Sequence, residues 1–176
     1  STTPAITLNF NGLSLLTVTT TGSGTATPNL NNTLQNVGTT LTMTAKPGAG
    51  QVFSNWVGDA TATTAALTFV MQSNMVLQAN FVPNPFTPIA GIYQGLIADT
   101  NGPTHQSSGF FNATLASGGS FSAKIVLAGQ NLSLSGQFSA GGYFSNNIVR
   151  KGFLPISVQL NLDLAGLFLE ETFTDR

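Results

Sequence analysis

The single histidine, His105, lies in the run ADTNGPTHQSSGFF, with Asp99 ahead of it and Ser107 and Ser108 just behind. A serine, a histidine and a carboxylate in mutual contact form a device for acyl transfer: nucleophile, general base and orienting acid. Closeness along one loop does not create that contact, and no G-x-S-x-G elbow presents a serine at a strand-to-helix turn. The run therefore reads first as a loop with a solvated histidine, and an esterase-like hydrolase remains an alternative. Glu170 and Glu171 are the one adjacent acidic pair before the chain end. On a strand such neighbours point to opposite faces, so they cannot flank one glycosidic bond. The DTNG sequence at 99–102 starts like a calcium loop but lacks the later oxygen ligands and the closing glutamate, which leaves an Asx-type turn. With one histidine and no cysteine, the usual zinc centres are excluded. No glycine motif follows a strand and opens a helix to cradle phosphate. The expectation is a non-catalytic chain with no cofactor and no metal.

Binding chemistry has better raw material. Aromatic rings beside amides can hold a sugar, the ring against its apolar face and the amides on its hydroxyls. The candidate ligand-binding residues are Trp56, Tyr93, Phe111, Tyr143 and Phe144. In GFFNATL, Phe110 and Phe111 must face opposite ways, so one stands outside the core or in a barrel mouth. Tyr143 and Phe144 in GGYFSNN pose the same question. Trp56, the sole tryptophan, is also what a small domain needs to fill its core. Arg150 and Lys151 are the one basic cluster, read as a solvated turn that could also meet an anionic glycan.

Composition narrows the classes further. The chain of 176 residues carries five Lys and Arg against six Asp and Glu. No basic stripe exists for nucleic acid, and no polybasic segment for a membrane surface. No stretch approaches the about 20 apolar residues of a spanning helix. Solubility rests on Thr, Ser, Asn, Gln and Gly, a usage that points to a secreted or cell-surface protein. The end, FLEETFTDR, halts in strand-like sequence, from which a C-terminal truncation of a longer protein is expected.

The elements that must position these residues are strands. Period-two alternation recurs throughout: Ile6, Leu8 and Phe10; Leu41, Met43 and Ala45; Met75, Leu77, Ala79 and Phe81. In QVFSNWV strict alternation puts Val52, Ser54 and Trp56 on one face, with Phe53, Asn55 and Val57 on the other. Gly58 then allows a sharp turn in which Asp59 accepts backbone N–H groups. VPNPFTP at 82–88 carries three prolines, a stiff linker or sheet exit, and sets a boundary between residues 1–83 and 84–176. Beyond it GIYQGLIA, GFFNATLA, SFSAKIVLA, QNLSLSGQFS, GYFSNNIV and ISVQLNLDLA follow one another across short glycine joins. They predict an antiparallel up-and-down β-meander, a partial barrel or a curved sheet. A last strand, AGLFLEETF, would leave an apolar edge at which the chain self-associates or swaps strands.

The order of Ala45, Pro47, Gly50, Phe53, Trp56, Gly58, Asp59, Phe69, Met71, Val76, Ala79 and Phe81 resembles a divergent internalin-type B repeat over residues 13–82. The usual tyrosine ahead of the second aromatic is replaced by Val52. The resemblance implies a small β-grasp-like module of bacterial secreted or surface proteins, serving as spacer or adhesive unit. The second half is similar to β-rich segments that follow such repeats, and that similarity implies no activity. The chain is thus expected to be mainly β, a structural, adhesive or assembly module whose partners are other domains of a longer parent. A carbohydrate-binding module is the alternative, with no nucleic-acid partner and no membrane insertion.

Overall fold

The computed structural model describes residues 12–97, 104, 108–150, 152, 154–165 and 169–175, the last segment for its backbone alone. The described chain is mainly β, with no α-helix, and divides into two compact units between Pro83 and Asn84. The expected strand at Ile6–Phe10 lies outside the described residues.

In the first unit, β1 (Leu13–Thr21) pairs antiparallel with β3 (Thr33–Asn36) and parallel with β7 (Met75–Pro83). β5 (Gln51–Gly58) completes that sheet on the other side of β7. A second sheet runs β2 (Gly24–Thr27), β4 (Thr40–Pro47) and β6 (Ala66–Val70). Strict alternation is the cause of the core: Leu16 and Val18, Met43 and Ala45, Leu67 and Phe69, and Leu77, Ala79 and Phe81 all point inward into one buried cluster. The second sheet thereby covers the inner face of the first, and each hides the apolar half of its strands.

Strand β5 departs from the expected alternation. Phe53 pairs with Phe81 and Asn55 with Asn80, so Ser54 is an extra residue, a β-bulge. The bulge turns Phe53 onto the same face as Trp56. Their ring centroids are 6.1 Å apart, and Phe53 meets Phe81 edge-on at 6.0 Å. Strict alternation had placed Phe53 opposite Trp56; the inserted residue corrects that.

The second unit starts inside the proline-rich run. Asn84 Oδ1 accepts the N–H of Phe86 at 2.8 Å, and its Nδ2 donates to the carbonyl of Ser117. Phe86 is fully buried, and a short 3-10 turn (Thr87–Ile89) leads into β8 (Gly91–Ile97). The run is therefore a sheet exit that becomes part of the next core. β8, β9 (Gly109–Leu115), β10 (Ser120–Leu127) and β11 (Gln130–Gln137) form a meander in sequential order. β10 and β11 join through Ala128 and Gly129, both at positive φ (51° and 73°), the type I′ geometry that suits strand twist.

After β11 the meander breaks. β12 (Tyr143–Ile148), β13 (Ile156–Leu162) and β14 (Leu169–Asp175) form a separate three-stranded sheet, and no barrel closes among the described residues. β13 buries Ile156, Val158, Leu160 and Leu162 as its alternation predicts. The two sheets meet through rings: Phe121 lies 4.8 Å from both Phe138 and Phe144. Gly136 is what admits Phe144, because a Cβ there would enter its ring.

Candidate functional site

His105, Asp99 and Ser107 lie outside the described residues; of that constellation only Ser108 is described, half-buried before β9. The DTNG loop lies outside them too, as does Lys151, and the side chains of Glu170 and Glu171 are not described. Arg150 is not a solvated turn residue. It is buried, and its Nε donates to the carbonyl of Leu154 at 2.8 Å.

Trp56 is 1 % exposed and has no ring face to offer a ligand. Its indole Nε1–H donates to the carbonyl of Ala65 at 3.0 Å, satisfying the one polar atom that burial would otherwise strand. Gly58 follows at φ 113°, where a side chain would run into the carbonyl of Val76. That close approach lets Asp59 Oδ2 accept the N–H of Val76 at 2.7 Å while its own N–H donates to the Val76 carbonyl. The acceptor role expected of Asp59 thus falls on β7, and not on the turn itself. "NWVGD" is a clasp: a core plug, a gap for backbone, and a carboxylate that ties β5 to the start of β7.

Phe111 is also 1 % exposed, aligned with Ala113 and Leu115 on the inner face of β9. The ring that faces solvent is its neighbour Phe110, at 39 %. The parity of β9 carries the signal: 111, 113 and 115 are apolar, while 110 shares its face with Asn112 and Thr114. Phe144 is half-buried against Phe121 and Phe138. Tyr93 is half-buried, with its hydroxyl donating to the carbonyl of Ile89 at 2.7 Å; burial holds its pKa above the usual tyrosine value. Tyr143 is 45 % exposed on the edge strand β12. Within the second unit the structure therefore does not present Tyr93, Phe111, Tyr143 and Phe144 on one open face.

What it does gather is the outer face of the four-stranded sheet. One cross-strand row runs Leu96, Phe110, Val126, Asn131. The next runs Gln94, Asn112, Lys124, Ser133, and the third Ile92, Thr114, Ser122, Ser135. Over β9 to β11 this face forms an open groove of about 610 Å³. Lys124 is the one charged side chain in the four strands. A second open groove, about 680 Å³ between β1 and β2, is lined by threonine, asparagine and small residues, without a ring or a charge. There Asn31 is already engaged, accepting the N–H of Val18 at 2.9 Å.

The clasp and the core it closes lie within one stretch that matches a known family. Residues 14–85 match the family model of the divergent InlB B-repeat domain. The B-repeat signature is now legible as mechanics: Trp56, Phe69, Met71, Ala79 and Phe81 supply the core, and Gly58 and Asp59 close the clasp. B-repeat domains occur in surface proteins, and the family is one of surface or structural modules. No curated protein and no solved structure matches the chain. No helix of the described residues is long and apolar enough to cross a membrane.

Proposed function

We propose that the chain is a non-catalytic structural module, with an adhesive or assembly role, of a secreted or surface-displayed bacterial protein. The observation that carries this reading is where the B-repeat signature residues are spent. Trp56 and Phe81 are buried, and Gly58 and Asp59 close the β5–β7 junction, so the signature residues are spent on building the unit. Its partners in this reading are the neighbouring domains of a longer protein, with the β14 edge as a further place of self-association. The scarcity of charge supports an extracellular setting, where Thr, Ser and Asn carry solubility.

The test has two arms. The full chain is screened against ester, peptide and glycoside substrates, and no turnover is expected; turnover abolished by His105→Ala would replace this reading with a hydrolase. Intact producer cells are then treated with a broad-specificity protease. Release of peptides from this chain is expected, and their appearance only after lysis would remove the surface placement.

A further inference from the structure

We infer that the outer face of β9, β10 and β11 is a binding site for an acidic, uronate-bearing oligosaccharide, with Phe110 as its stacking ring and Lys124 as its cation. This goes beyond the module reading and does not depend on it.

The backbone of β9 and β10 is paired on both sides, so nothing that lands on this face can be met by main-chain groups. Recognition falls to side chains, and their chemistry is specific. Asn112, Asn131 and Ser133 each both donate and accept, as the hydroxyls of a sugar require. Phe110 lines the groove and is 39 % exposed, an aromatic surface suited to the C–H side of a pyranose. The strands lie about 4.8 Å apart, and same-face neighbours about 6.8 Å apart along each strand. The grid therefore spans several sugar hydroxyls and fits an oligomer better than a single ring.

Lys124 decides the charge of the ligand. Lysines in sheets commonly guard edges, where they discourage pairing with another chain. Lys124 sits instead on β10, an interior strand flanked by β9 and β11, between Asn112 and Ser133. Edge protection does not account for it. In a chain with five basic residues, one stands at the centre of the open groove, and no carboxylate accompanies it on these strands. A neutral glycan would engage that ammonium only as a hydrogen-bond donor; a hexuronate places a carboxylate beside its own ring hydroxyls and uses its charge as well.

The full chain is titrated with a galacturonate trimer and a mannuronate trimer, with a galactose trimer as neutral control, by calorimetry and by amide NMR. Saturable binding of at least one uronate is expected, with shifts at the side-chain amides of Asn112 and Asn131 in the unmodified protein. Phe110→Ala weakens it about threefold to tenfold, and Lys124→Gln about fivefold with loss of the salt dependence. Both positions are solvent-facing, and the shift map of the unmodified chain locates the site even if a variant folds poorly. Absence of binding by both uronates overturns the proposal. So does equal affinity for the neutral trimer, an affinity unmoved by Lys124→Gln, or shifts confined to other faces. A chain that binds no glycan remains a structural module, so the two readings fail separately.

Discussion

Replacing Trp56 by alanine tests the account of the B-repeat core most severely. A buried indole of this kind removes roughly 200 Å² from water, worth about 5 kcal/mol at about 25 cal/mol per Å² as an upper bound. Large-to-small changes of this type cost about 3–5 kcal/mol after partial relaxation. The lost hydrogen bond adds little, because the Ala65 carbonyl that receives Nε1–H also accepts the N–H of Ala45 at 2.9 Å. It keeps a partner when the indole goes. A unit of this size has a net stability of about 4–11 kcal/mol, so Trp56→Ala removes about a quarter of it or more. The melting transition of the first unit should fall by at least about 12 °C. Trp56→Phe keeps a ring and should cost about 1–2 kcal/mol. Both are read by far-UV circular dichroism fitted with separate transitions for the two units. In the unmodified chain, Trp56 emission reports the first unit alone and should be blue-shifted and shielded from acrylamide. A Trp56→Ala loss below about 1 kcal/mol, or quenching as efficient as that of free tryptophan, would refute the burial argument.

Deleting Ser54 removes the bulged residue and leaves Phe53, Asn55 and Trp56 in strict alternation opposite their present partners. It should cost about 2 kcal/mol or less by Trp56-monitored melting, whereas deleting Val57 throws Gly58 off Leu77 and should unfold the unit. Ala128 occupies φ 51°, a region costly for a residue with a Cβ. Ala128→Asn gives the favoured Asn-Gly turn and should stabilise the second unit by about 0.5–1 kcal/mol in urea unfolding. Tyr93 has its folded pKa raised above 10.0 by burial. The folded state therefore holds this proton more tightly than the unfolded chain, and the contribution is complete below the unfolded value and lost as pH climbs through the raised one. Unfolding midpoints measured from neutral to alkaline pH should show that extra loss in the parent and not in Tyr93→Phe. At neutral pH the variant should be weaker by about 1 kcal/mol through loss of the bond to Ile89.

Much of the fold was legible because burial writes itself as period two. Met75, Leu77, Ala79 and Phe81 on β7, and Ile156, Val158, Leu160 and Leu162 on β13, are core residues that alternation alone identifies. Alternation fails where a strand gains a residue, and it did so at Ser54. Two large rings three positions apart, with Ser and Asn between them, are the trace such a bulge leaves. The four-residue strands β2 and β3 sit in turn-rich sequence, where too few residues repeat to show a period. The break between β11 and β12 is also invisible along the chain, because it depends on three rings meeting in space over Gly136. The outer groove was half legible. That Phe110 and Phe111 oppose each other follows from the pleat, but which of them faces water is set by Ala113 and Leu115, whose parity Phe111 shares.

The parallel pairing of β1 with β7 bears on how this unit carries load. Leu16–Thr21 and Met75–Asn80 run side by side in the same direction, so the chain enters the pair at one end and leaves it at the other. Tension applied across the unit therefore slides the two strands along each other. Their ladder of hydrogen bonds must give way together, and not one rung at a time as when a hairpin is peeled open. A module pulled from its two ends would meet force along this direction, and β1 and β7 would be the clamp that resists it.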